Sequence, residues 1–157
     1  MVCLGNICRS PMAAAILHHQ SRDLNAPRIE VSSSGTSNYH IGDGPHPLSK
    51  KTWQGHGISY EHRAKQFSPA SFDMQDLILA MDLTNRAMIL TAAKDDIARN
   101  KVFMLRQFDP ELAGIDPISV AGTQLQVPDP WGDELPAYEN VYEMIDAAVK
   151  GLLNKLR

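Results

Sequence analysis

Two cysteines are all that the 157 residues contain, and both stand within the first eight positions. A disulfide between them would close too small a ring to staple a fold. A chain this poor in cysteine suits a reducing compartment, so a cytoplasmic location is expected. Basic residues are also scarce: 15 Lys+Arg against 18 Asp+Glu leave a net charge of −3. No basic stripe is available to neutralise a phosphate backbone, which argues against nucleic acid as a partner. No apolar run approaches the length of a membrane span, and no secretory leader is expected before the first motif. The spacings of histidine and cysteine make no metal-ligand pattern, so neither metal nor other cofactor is expected. There is no internal repeat, no low-complexity linker, and no Gly-Lys-Ser or Gly-Lys-Thr of an ATP-type phosphate loop. What remains is 43% hydrophobic and 21% charged, an ordinary globular composition. The length suits one domain over residues 1–157.

The chemistry is concentrated in Met1-Val2-Cys3-Leu4-Gly5-Asn6-Ile7-Cys8-Arg9-Ser10-Pro11. Gly5 and Asn6 tolerate unusual backbone angles, so the chain can curl between Cys3 and Arg9. Pro11 suits the first turn of a helix and Ser10 the N-cap before it. The stretch reads as strand end, tight loop, helix start. Such a loop points successive N–H groups inward, and the helix adds its positive end. Together they form a cradle for a tetrahedral oxyanion, built from Leu4, Gly5, Asn6, Ile7, Cys8 and Arg9. Arg9 can grip two phosphate oxygens at once. The field that binds phosphate also stabilises a thiolate, so the Cys3 pKa is expected to fall from about 8.5 to roughly 3.5–7.5. A thiolate beneath a bound phosphoryl group is a nucleophile placed for in-line attack. Cys8 is either a packed loop residue or an oxidative partner of Cys3.

Further along, Pro11 to about Gln20 predicts a helix, and Arg28 to Ser34 alternates as a strand that Gly35 stops. Pro47 to about His56 predicts a second helix closed by Gly57. Asp76 to Met81 is a continuous apolar run after its first residue, as in a strand buried on both faces. Asp82 follows it, with a helix starting at Thr84, and Lys101 to Leu105 is the last strand. Arg106 to Pro136 reads as a long loop with three Asp-Pro pairs, of which Asp109 and Asp116 are turn starters. Leu135 to Leu156 is an amphipathic helix with Val141, Ile145, Val149, Leu152 and Leu156 on its apolar stripe. This order argues an α/β layer fold: a three-layer sandwich with a small, mostly parallel central sheet flanked by helices on both faces. Only Met1 and Val2 precede Cys3, against a usual strand of about five or six residues. The first strand is therefore largely absent from the chain as given, and a late start or a lost segment is expected.

The opening loop resembles the signature of the low-molecular-weight protein tyrosine phosphatases, and later stretches extend the resemblance. Tyr39-His40-Ile41-Gly42 is similar to the segment in which an aromatic walls the substrate ring. His62-Arg63-Ala64-Lys65-Gln66 and Met81-Asp82 also match. Pro128-Asp129-Pro130-Trp131 resembles the loop that carries the general acid. The resemblance implies hydrolysis of protein phosphotyrosine and aryl phosphates through a cysteinyl-phosphate intermediate. It makes Cys3 the nucleophile, Arg9 the phosphate clamp and Asp129 the general acid and base. It gives Ser10, Asn6, Ser34, His62 and Asp82 supporting roles, with Tyr39, His40 and Trp131 lining the pocket. Phosphotyrosine proteins and inorganic phosphate or other oxyanions are the implied partners. Two departures stand out: a single aromatic follows Pro130, and His46-Pro47-Leu48 replaces the family's Asp-Pro-Arg, which removes a helix cap. A protein-arginine phosphatase shares the catalytic residues, although Ile7 stands where such enzymes have threonine. An arsenate reductase would need further cysteines. A phosphate-binding module without turnover is the alternative of another class.

Overall fold

In the computed structural model, which describes residues 1–157, four short strands form one parallel sheet. They are β1 (Val2–Cys3), β2 (Ser34–Gly35), β3 (Ile78–Ala80) and β4 (Val102–Met104), in the order β2-β1-β3-β4. The register places Val2 beside both Ser34 and Ala80, and Ile78 beside Val102. The apolar run around β3 is buried on both faces, as a central parallel strand requires.

Helices cover both faces. On one side α1 (Arg9–Ser21), α2 (Pro47–Gly55) and α6 (Leu135–Leu156) pack around Met12, Ile16, Trp53, Tyr138 and Ile145. On the other, α3 (Ser71–Met74), α4 (Leu83–Ala92) and α5 (Asp96–Arg99) bring Phe72, Ile89, Ala93 and Ala98 against Val102 and Met104. The three alanines Ala13–Ala15 are completely buried, and their small side chains let α1 sit deep in the molecule. α6 comes equally close to the 3-10 turn Leu105–Phe108: a Cβ at Gly151 would stand 1.8 Å from the Phe108 carbonyl oxygen. The layers expected from the sequence are therefore present, with the carboxyl end of β1 feeding the loop that leads to α1.

Several local expectations need correction. Helix α1 starts at Arg9 with Cys8 as its N-cap, so Ser10 lies inside the first turn and does not cap it. Its hydroxyl is taken up by the preceding loop instead. The strand expected over Arg28–Ser34 is reduced to Ser34–Gly35. Met1 and Val2 offer partners only to its end, and residues 28–31 make no backbone hydrogen bond. The long loop after β4 carries three 3-10 turns, at Leu105–Phe108, Pro110–Leu112 and Val120–Leu125. Asp109 and Asp116 start turns as expected, accepting from the N–H groups of Glu111 and Ile118. Helix α6 has the expected bounds, but Leu156 at its end is exposed. Finally, His46 does not remove the cap of α2. Its Nδ1 accepts from the Leu48 N–H at 3.2 Å and supplies one.

Candidate active site

The loop from Cys3 to Arg9 lies beyond the carboxyl end of the central strand, where open parallel sheets place their ligands. Asn6 turns it with φ 56°, a left-handed conformation that asparagine tolerates better than most residues. Gly35 lets the loop settle on the sheet. A Cβ there would meet the Leu4 carbonyl oxygen at 2.7 Å and the Asn6 nitrogen at 3.1 Å.

The side chain of Asn6 is fully buried and makes three hydrogen bonds. Its Nδ2 donates to Ser10 Oγ at 2.8 Å and Ser33 Oγ at 3.0 Å, and its Oδ1 accepts from the Lys65 N–H at 3.0 Å. Engaging both N–H bonds and the oxygen of a buried amide fixes its orientation. The expected serine beyond the loop is thus Ser33 rather than Ser34. Ser34 takes part only through its carbonyl, which lies 3.4 Å from Ser10 Oγ.

The loop carbonyls are held from behind. Leu4 O accepts from the N–H and hydroxyl of Ser37, Asn6 O from His62 Nε2 at 2.6 Å, Ile7 O from the His46 N–H at 2.8 Å, and Cys8 O from Ser49 Oγ at 2.7 Å. A trans peptide points its C=O and the next N–H in opposite directions. Each pinned carbonyl therefore turns the following N–H, of Gly5, Ile7, Cys8 and Arg9, the other way. Sequence reasoning found His62 but missed Ser33, Ser37, Ser49, Gly35 and the backbone role of His46. The only signal was a serine-rich, glycine-punctuated character that many loops share.

Cys3 Sγ sits at the floor, 3.0 Å from Ser10 Oγ and 3.3 Å from the Asn6 nitrogen, whose N–H donates to it. Asn6 thus spends its backbone N–H on sulfur. Arg9 is 2% exposed. Its Nη1 donates to Asp82 Oδ2 at 2.7 Å and to the Val127 carbonyl at 3.0 Å, and its Nη2 lies 3.4 Å from Asp129 Oδ2. Asp82 does two jobs at once, because its Oδ1 caps α4 by accepting from the Asn85 N–H. Asp129 Oδ1 accepts from the Trp131 N–H, and its side chain is about half exposed at the mouth. Burial pushes the Cys8 thiol up to about 12, a hydrogen bond from Tyr138 opposing. Burial lowers His62 below the ordinary histidine value, its contact with the Asn6 carbonyl opposing.

A cavity of about 250 Å³ opens over this floor. It brings together Cys3, Leu4, Gly5, Ile7, Cys8 and Arg9 with Tyr39, His40, Asp129 and Trp131. Ser10, Asn6, His62 and Asp82 lie behind it. Tyr39 and Trp131 are largely exposed aromatics at the rim. An anion donor cradle, a buried arginine, a floor sulfur and a rim carboxylate together suit transfer of a phosphoryl group from an aromatic or similar flat leaving group.

A family model described as low molecular weight phosphotyrosine protein phosphatase matches residues 1–157. The chain belongs to this family. It is 36% identical over 157 residues to a low molecular weight protein-tyrosine-phosphatase of Streptomyces coelicolor, covering 99% of this chain and 91% of that one. A protein tyrosine phosphatase of Entamoeba histolytica, solved with Hepes in its active site, superposes with a TM-score of 0.83 at 28% identity, covering 99% and 93% of the two chains. The YwlE arginine phosphatase of Geobacillus stearothermophilus superposes with 0.80 at 30% identity, covering 99% and 89%. The chain is thus a hydrolase of the low molecular weight phosphotyrosine protein phosphatase family. No helix in it is long and apolar enough to cross a membrane.

Proposed function

We propose that the chain hydrolyses protein phosphotyrosine and aryl phosphates in two steps at the Cys3 cradle. The observation that carries this reading is the convergence on one cavity of the Cys3 sulfur, the Arg9 guanidinium and the Asp129 carboxylate. In the first step the Cys3 thiolate attacks phosphorus, forming an S–P bond as the P–O bond to the phenol breaks. Asp129, protonated at that stage, gives its proton to the leaving phenolate. Arg9 and the cradle N–H groups of Leu4, Gly5, Ile7, Cys8 and Arg9 neutralise the equatorial oxygens. In the second step the Asp129 carboxylate takes a proton from water. That water attacks phosphorus and releases Cys3 as thiolate and phosphate as product.

Ser10 suits both steps. Its hydroxyl has one proton and lies within reach of Cys3 Sγ and the Ser34 carbonyl. When sulfur is anionic the proton goes to sulfur; when sulfur carries phosphorus it goes to Ser34. Tyr39 and Trp131 would sandwich an aromatic leaving group, with His40 beside them. The depth of the cradle favours phosphotyrosine over the shorter phosphoserine. Residues 1–157 act in this as one phosphatase domain, and cytoplasmic phosphoproteins are its substrates.

Similarity to an arginine phosphatase supports a second reading on the same residues. Ile7 favours the first, because it lends an apolar wall to the cavity and no polar group to a guanidinium. The test is turnover of matched phosphotyrosine and phosphoarginine peptides by the parent chain, Cys3→Ser and Asp129→Asn. Turnover of the tyrosine peptide is expected, abolished by Cys3→Ser and reduced about 10²-fold or more by Asp129→Asn. Quenched Asp129→Asn should carry phosphate on the Cys3 peptide in mass spectrometry. Preference for the arginine peptide would select the second reading. Phosphate binding without turnover of either would leave only a binding module.

A further inference from the structure

The helix that backs the cradle begins on a titratable cap. His46 touches the loop through its backbone, donating to Ile7 O, and three residues later Ser49 donates to Cys8 O. These two bonds set the peptide planes that present the N–H groups of Cys8 and Arg9. The His46 ring is committed as well. Nδ1 accepts from the Leu48 N–H, so the proton of the neutral ring must sit on Nε2. Nε2 lies 3.5 Å from Tyr138 Oη, the two rings stack with centroids 5.2 Å apart, and Tyr138 Oη lies 3.7 Å from Cys8 Sγ. With the tautomer fixed, the chain of donation runs from His46 to the Tyr138 hydroxyl to the Cys8 sulfur.

We propose that His46 is a positioning residue for the oxyanion cradle, holding it in shape only while its imidazole is neutral. This rests on the cradle being the phosphate site argued above. A proton on Nδ1 would set two donors face to face at 3.2 Å and place a cation at the positive end of α2. The ring must then leave the cap, and the His46 and Ser49 contacts to Ile7 and Cys8 slacken with it. None of the other groups facing the ring relieves that clash at Nδ1. Cys8 approaches from the loop and Tyr138 from α6, both pushed towards their neutral forms by burial. Asp129 and Asp133 act on the Tyr138 hydroxyl from the loop before α6, and Asp43 is engaged by His40. An aspartate at this position, as the resemblance makes usual, would cap the helix throughout the neutral range. Histidine makes the cap conditional.

The test compares the parent chain with His46→Asn, which can accept the Leu48 N–H but does not titrate, and with His46→Ala. Affinity for inorganic phosphate is measured by calorimetry from about pH 5 to about pH 8, across the histidine range. At each pH the ligand is identical, so its own ionisation cancels in the ratio between variants. The parent and His46→Asn should agree at the alkaline end, and the parent should fall about five- to tenfold below His46→Asn at the acid end. In amide NMR the Cys8 and Arg9 signals should shift over the same range in the parent chain, and the part of that shift that belongs to His46 should be missing in His46→Asn. His46→Ala should bind weakly at every pH. A ratio that does not change with pH would reduce His46 to a static structural cap and overturn the proposal. Tighter binding by the parent chain at acid pH would overturn it too, since simple attraction by the imidazolium would then dominate. Absence of phosphate binding in all three chains would instead overturn the cradle itself.

Discussion

At the scale of single residues, two buried thiols only five positions apart in the loop are expected to behave differently. Cys8 is pushed up to about 12, so it stays a thiol at neutral pH. Cys3 receives the Asn6 N–H and faces the Ser10 hydroxyl at the floor of an open cavity. A haloacetamide applied at about pH 7 should therefore modify Cys3 and spare Cys8 until the chain is unfolded. Bound phosphate should protect Cys3. Peptide mass mapping checks this, and equal labelling of both cysteines would contradict it. His62 gives a second residue-level prediction. Replacing it by alanine leaves the Asn6 carbonyl without its donor, a loss of about 1–3 kcal/mol if the group stays dry. Phosphate affinity should fall together with the melting temperature, because the Ile7 N–H loses its backing. Much of this was legible in the sequence, since Cys3, Arg9 and Asp129 each carry chemistry that few spacings share. Ser33 was not. Three successive serines offer the same hydroxyl, and only the register of β2 against β1 decides which one reaches Asn6.

At the scale of elements, Asp82 joins a helix cap to an active-site ion pair, and the two can be separated. Asp82→Asn retains a good cap for α4 but gives up the charge opposite Arg9. Asp82→Ala gives up both, with a further cost of about 1 kcal/mol for the lost cap. Both variants should lose phosphate affinity to a similar extent, while only the alanine variant should show the added loss of stability in urea unfolding. Equal stability would mean that the Asn85 N–H finds another acceptor. Gly35→Ala tests the seat of the loop. With its Cβ 2.7 Å from Leu4 O, the loop must lift, so turnover should fall sharply even though no polar group is changed. Among the elements themselves, α6 was readable because its hydrophobic spacing is long and regular, and β3 because its apolar run is unbroken. Strand β2 was overread. Alternation over Arg28–Ser34 describes which way side chains point, but a ladder needs a neighbour, and β1 supplies only two residues. The cap on α2 was missed for a different reason: a neutral histidine accepts a hydrogen bond as an aspartate does, so exchanging the acid for His46 kept the cap.

At the scale of the whole molecule, the buried titratable groups predict how stability responds to pH. Burial lowers His62 below the ordinary 6.5, so between those values the unfolded chain holds a proton that the folded chain has shed. Its contribution to stability is present above 6.5 and lost as the pH falls through the lowered value. Cys8 has the opposite effect at the alkaline end. Its folded value is raised from 9.0 to about 12, so above 9 the folded chain keeps a proton that the unfolded chain releases, and stability falls. The melting temperature should therefore be highest between about pH 7 and about pH 9 and fall on either side. Calorimetric scans across that range check the curve. His62→Gln should flatten the acid-side fall, while Cys8→Ser should soften the alkaline one. An acid-side fall that His62→Gln leaves unchanged would mean that the imidazole stays hydrated in the folded chain.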